Sequence, residues 1–426
     1  MRLPHRIFAL LTLLLPGLAA GEYLRDARGG FVPYAGKFNR GKITLRDVPP
    51  RAGEFRGVWV AMVENIDFPR CATAAEFQQQ FRARVRRLAA AGFTAVIVQV
   101  RSNCDALYPS ELAPWSRWLT GEEGRGFRNF DPLRFMVDEA HRCNLEFHAW
   151  FNPYRVTNGT PLGKSAYLDT LSRRNFARRN PQWVIAQRSG KNLRLFLDPG
   201  IPQVIGHIAA VVREVITRYP VDAVHFDDYF YPYDPLKDED ARTFAAHNPR
   251  KLGLADWRRS NTDALILTVR RTIDEVNAAA KRRVRFGVSP FGIWANAGNR
   301  PGGSLTAGKE SYSSLYADSR KWVKTRMLDY VAPQIYWPFG HDSAAYAALT
   351  DWWCEVVRGT GVKLYIGHGA YRAGAPGWGP EELIHQVRFN RMRPEVAGSV
   401  FFSWRSLFGS QVDPGAVRLL HFLKGR

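Results

Sequence analysis

Eight short apolar runs, each separated from the next by a stretch with helical periodicity, constrain this 426-residue chain more than any other feature. The runs are FRGVWVAM (Phe55 to Met62), TAVIVQV (Thr94 to Val100), LEFHAWF (Leu145 to Phe151), AVHFDDY (Ala223 to Tyr229), VRFGVSPF (Val284 to Phe291), YVAPQIYW (Tyr330 to Trp337), KLYIGHGAY (Lys363 to Tyr371) and GSVFFSW (Gly398 to Trp404). Their apolar residues are nearly continuous, the pattern of strands buried on both faces. Between the first two, Phe77, Phe81, Val85 and Leu88 recur at three- and four-residue spacing, which predicts an amphipathic helix. Between the second and third, Leu133, Met136, Val137 and Ala140 share a helical face behind Asp131, a residue suited to cap the helix. Alternation of this kind predicts an α/β fold with a parallel sheet wrapped in helices, and eight units predict a closed (β/α)8 TIM barrel. An open doubly wound sheet is the alternative. Against it, no Gly-rich phosphate turn follows any run.

The flanks divide the chain further. Arg2 and Arg6 precede the apolar run Ile7 to Ala20, with small residues at Gly17, Ala19 and Ala20, so residues 1–20 read as a signal peptide and the protein as exported. The run is short for a bilayer span, and no cysteine follows it to carry a lipid. No later segment is apolar enough to cross a membrane, so the mature chain is expected to lack a transmembrane span. Residues 21–53, rich in Gly and Arg, read as a tail or linker, and residues 54–426 as the barrel. Four scattered cysteines, Cys71, Cys104, Cys143 and Cys354, do not have zinc-site spacing. Either Cys71 and Cys104 form a disulfide, which export would permit, or all four are buried thiols. The net charge of +21 favours an anionic polymer as partner. No nucleic-acid-binding motif accompanies it, and export argues against nucleic acid.

Barrels of this type build their sites at the carboxyl ends of the strands. The residues that follow each run are therefore the ones to examine. They are Glu64, Asn65 and Asp67 after the first run; Gln99, Arg101 and Asp105 at the second; Trp150, Asn152, Tyr154 and Arg155 at the third; and Asp227, Asp228, Tyr229 and Tyr231 at the fourth. Ser289, Phe291 and Trp294 follow the fifth, Gln334, Tyr336 and Trp337 end the sixth, and Trp404 ends the eighth. The starts of the runs carry few such groups. Aromatic faces stack on the C–H faces of sugars, while amides, carboxylates and guanidinium groups bond hydroxyls, so this mixture predicts a carbohydrate site.

Glycoside hydrolysis needs a proton donor and a second carboxylate. Asp228, beside tyrosines and another acid, is the predicted general acid, with Asp227 as its partner and Glu64 next. Because successive strand residues point to opposite sides, Asp227 and Asp228 need not face each other if the strand runs that far. Two other readings stand beside catalysis: a capped turn, and a metal held by His225 and Asp227, for which no further ligands have suitable spacing. No metal or cofactor is expected.

The blocks FRGVWVAMVENIDFP, QVRSNCDALYPSELAPWS, HAWFNPYR, VHFDDYFYPYD, FGVSPFGIWAN and YVAPQIYW resemble, in order, the signature blocks of the bacterial glycosyl-hydrolase-like family ten, over roughly Phe55 to Leu407. The resemblance implies a (β/α)8 envelope glycosidase of the periplasm, working near division-site proteins on peptidoglycan glycan strands already stripped of stem peptides. It implies cleavage between N-acetylmuramic acid and N-acetylglucosamine, with Arg101 and Arg155 as partners for the muramic carboxylate. Many barrel glycosidases carry a Glu at the end of the seventh strand. This chain has Gly367, His368 and Gly369 there, so their catalytic pair does not transfer. Hydrolysis of another amino-sugar polymer and non-catalytic glycan binding are the alternatives.

Overall fold

The computed structural model describes residues 21–425, so the signal-peptide reading of residues 1–20 lies outside the described residues. All eight apolar runs form strands: β1 (Phe55–Val60), β2 (Ala95–Arg101), β3 (Glu146–Phe151), β4 (Ala223–Phe226), β5 (Arg285–Val288), β6 (Tyr330–Val331), β7 (Lys363–Gly369) and β8 (Val396–Phe402). They pair in parallel and in sequence order, and β8 pairs with β1 to close the barrel. Every residue of β2 is buried, as expected of a strand with helices on one side and the barrel interior on the other. β5 and β6 stop short of the predicted ends because Pro290 and Pro333 lack the N–H that a ladder requires.

The predicted helices also form. Phe77, Phe81, Val85 and Leu88 are the buried face of Ala74–Ala90. The Asp131 side chain accepts a hydrogen bond from the Arg134 N–H at the start of Pro132–Arg142. Helix side chains meet the outer faces of the strands in one large apolar shell.

The barrel interior is filled differently. Trp59, Ile97 and Tyr330 pack there, and the Tyr330 hydroxyl lies 2.9 Å from both His148 Nδ1 and His225 Nδ1. Gly287 on β5 makes room for that ring, since a Cβ there would lie 2.0 Å from Tyr330 Cζ. His225 Nε2 meets Trp59 Nε1 at 3.1 Å and Ser289 Oγ at 3.0 Å. Burial holds its ring well below the usual histidine range, and so neutral. It is a bonded core histidine rather than a metal ligand.

Two features depart from the sequence reading. Residues 21–53 are packed on the barrel rather than trailing from it: Glu22–Tyr23 pairs with Thr44–Leu45, and Leu24, Ile43 and Leu45 are buried in a cluster with Ile335, Phe339 and Leu364. An antiparallel three-stranded sheet, Arg155–Thr160, Val184–Ser189 and Asn192–Leu197, is inserted between β3 and β4. Its hairpin turns at Gly190, whose φ of 60° suits glycine. Of the two cysteine readings, the thiol one holds: all four are free, three of them buried and Cys143 part-buried, and Cys71 and Cys104 are not bridged.

Candidate active site

A cavity of about 390 Å³ opens at the carboxyl end of the barrel, lined by residues from all eight strand ends. Trp59, Trp150, Tyr229, Tyr233, Phe291, Tyr336, Trp337, Tyr371 and Phe402 form aromatic walls around Gln99, Arg155, Asp227, Asp228, Ser289 and Gln334. β4 ends at Phe226. Pleat alternation therefore ends before the two aspartates, and both line the cavity instead of facing opposite ways.

The two carboxyls differ in their support. Asp227 is 5% exposed and its Oδ2 accepts from Asn152 Nδ2 at 2.6 Å, while Oδ1 accepts from the Tyr229 N–H at 3.2 Å. Asn152 is itself fixed, its Oδ1 accepting from Gln99 Nε2, and Gln99 Oε1 accepts from the Met62 and Val63 N–H groups at 3.0 and 2.9 Å. The Arg155 guanidinium lies 3.9 Å from Asp227 Oδ2 and 4.4 Å over the Tyr229 ring. Asp228 is 2% exposed; its Oδ2 accepts from the Tyr233 hydroxyl, and its Oδ1 has no partner among the described residues.

Burial raises both carboxyls above the ordinary aspartate range. For Asp227, Arg155 and then Asn152 oppose the rise. For Asp228, the neighbouring Asp227 carboxylate adds to it, and the group is pushed up to about 7. The two carboxyls titrate as a pair, and the neighbour's negative charge makes Asp228 the member that favours its protonated form.

Of the other predicted site residues, Gln99, Trp150, Arg155, Tyr229, Ser289, Phe291, Gln334, Tyr336 and Trp337 line this cavity. Asn152 stands behind it as the support of Asp227. Tyr154 and Tyr231 line an adjoining cavity. The remainder do other work. Glu64 is exposed, does not line the cavity and accepts from Asn158 Nδ2, which does, at 3.0 Å. Asn65 holds a turn by donating to the Phe68 and Trp118 carbonyls. Asp67 is a clasp between the ends of β1 and β8, accepting from the Ala61 N–H, the Ser403 hydroxyl and the Arg405 N–H at 2.6–2.7 Å.

Asp105 caps its own loop through the Ser102 and Asn103 N–H groups. Arg101 is 1% exposed, its guanidinium bonds no group among the described residues, and it does not line the cavity. A register shift in β2 between Gln99 and Arg101 breaks the alternation that would have turned it inward. Trp294 donates to Asp318 and stacks on Trp352, and Trp404 packs on Phe408 and Arg84; both are structural.

The cavity also contains residues that sequence reasoning did not select: Trp59, Tyr233, Asn158 and Arg372. Tyr233 was available in the same YFYPYD stretch as Tyr229 and Tyr231, two residues further along. Trp59 lies inside β1, one turn of the pleat before the rim, where a core assignment was the natural one.

The Glycosyl hydrolase-like 10 family model matches residues 54–380. The chain is 43% identical over 365 residues to the protein named glycosyl hydrolase YngK of Bacillus subtilis (strain 168), covering 83% of this chain and 69% of that one. It is 41% identical over 369 residues to glycosyl hydrolase DigH of Escherichia coli (strain K12), covering 82% of each. Among solved structures it resembles the PgaB (BpsB) glycoside hydrolase domain from Bordetella bronchiseptica, with a TM-score of 0.54 at 14% identity over 87% of this chain and 99% of that one. That likeness supports the barrel fold.

Proposed function

The chain belongs to the Glycosyl hydrolase-like 10 family and is a glycosyl hydrolase, and from that premise we propose that it is exported to the cell envelope and cleaves glycan strands of peptidoglycan, those stripped of peptides in particular. The observation that carries the chemistry is Asp228, a buried carboxyl lifted to about 7 beside a second carboxyl supported by Asn152 and Arg155. Asp228 donates its proton to the glycosidic oxygen as the bond breaks. Asp227 stabilises the positive charge that develops on the sugar as that bond breaks, and water then adds to the sugar carbon, its proton returning to the aspartate pair to restore the acid. Trp150, Tyr336 and Trp337 offer faces on which sugar rings stack. Stripped strands expose the lactyl carboxylate of every muramic acid, which suits a chain with a net charge of +21.

Sacculi treated with an amidase, and untreated sacculi, supply the test. Soluble muramic-acid-containing fragments are expected from the treated material, with their reducing ends read by mass spectrometry. Release from untreated sacculi alone would defeat the stripped-strand reading. Asp228→Asn is expected to lower turnover by about 10²–10⁴-fold while glycan binding persists.

A further inference from the structure

A second cavity of about 340 Å³ abuts the first, on the side of the inserted sheet. The two share Arg155, Asn158, Tyr229 and Tyr233 as a common wall. Tyr229 is 41% exposed and stands on that wall, with Tyr233 edge-on at 5.3 Å. Phe196 from the insert and Tyr231 from the loop after β4 supply the far aromatic surfaces. Ring-sized apolar walls one step from the aspartate pair match the needs of a second sugar in the same strand.

Thr157, Asn158 and tyrosine hydroxyls line this space, and its two charged groups, Arg155 and Arg194, are both cationic. The Arg155 guanidinium donates no hydrogen bond to any described residue, and its nearest carboxylate oxygen is Asp227 Oδ2 at 3.9 Å. Arg194 uses one nitrogen, Nη1, on Asp234 at 2.6 Å. A guanidinium has five N–H donors in a planar fork. Two such groups with most of their donors unspent flank one aromatic-walled cavity, an arrangement that fits a planar anion on the ring rather than another hydroxyl.

Resting on the reading of the first cavity as the hydrolytic centre, we propose that the second cavity is the subsite for the adjacent sugar and that Arg155 and Arg194 recognise a carboxylate carried by that sugar. Selectivity for an acidic glycan then resides next to the chemistry, on the inserted sheet that carries both arginines.

Calorimetric titration of the full chain carrying Asp228→Asn tests this without requiring turnover. The ligands are a tetrasaccharide of alternating N-acetylglucosamine and N-acetylmuramic acid and the same compound with its carboxyls reduced to alcohols. The acidic ligand is expected to bind about tenfold more tightly or better, the worth of one charge-assisted hydrogen bond. Arg194→Gln in the same background should remove most of that preference. Arg194→Lys, which keeps the charge and loses the fork, should restore part of it. Thermal melts of both variants establish that they fold. Equal affinity for the two ligands overturns the proposal, as does a full preference that survives Arg194→Gln. Loss of turnover on all glycans by the unmodified enzyme would instead defeat the hydrolytic reading and leave these binding ratios intact.

Discussion

At the scale of the residue, Asp228 links activity to stability. Burial and the adjacent Asp227 charge push its carboxyl up to about 7 in the folded chain, against 3.8 ordinarily. Between those values the folded state binds a proton that the unfolded chain has released, so stability falls as pH rises through this window. Asp228→Asn removes the titration. The variant should melt close to the unmodified protein at pH 4 and above it at pH 8, by on the order of a few degrees, in calorimetry. Activity should fall as pH rises past about 7, when the donor loses its proton. Asn152 makes a contrasting case. Asn152→Ala leaves the Gln99 amide and the Asp227 carboxylate without their partner in a fully buried position. A loss of about 1–3 kcal/mol in denaturant unfolding is expected, together with lowered kcat. The sequence made the DD pair legible because two adjacent acids after an apolar run are costly unless used. It could not show their orientation, which depends on β4 ending at Phe226. For the same reason Asp67 and Asp105 read as site residues: a buried clasp and a turn cap use the same residue type as an acid catalyst.

At the scale of the element, the barrel was legible because buried parallel strands and amphipathic helices have distinct periods, visible in stretches such as AVIVQVR and Phe77 to Leu88. The inserted sheet was not. Its strands RVTNGT and NLRLFL begin or end among exposed polar residues and present no sustained alternation. The close approach of β5 to β6 depends on Gly287 in a way that only coordinates display. Gly287→Ala would drive a methyl into the Tyr330 ring, and that hydroxyl holds both His148 and His225. A destabilisation of about 1–3 kcal/mol, measured by chemical denaturation, is expected from such overpacking.

At the scale of the whole molecule, the segment 21–53 belongs to the folded unit. Gly- and Arg-rich composition suggested a tail, yet three well-spaced apolar residues, Leu24, Ile43 and Leu45, suffice to dock it. Deleting residues 21–45 uncovers their partners Ile335, Phe339 and Leu364. The melting temperature should drop by several degrees and the truncated protein should bind a hydrophobic dye that the intact one does not.

The inserted sheet has a consequence of its own. The acid pair follows directly on β4, a strand the barrel cannot spare, whereas Arg194 and Phe196 ride on a hairpin, Val184–Leu197, outside the cylinder of strands. Cutting and measuring are therefore assigned to different pieces of chain. A lineage, or an engineer, can recast the gauge by exchanging the hairpin, residues 184–197, and leave the blade, with Arg155 behind it, where it is.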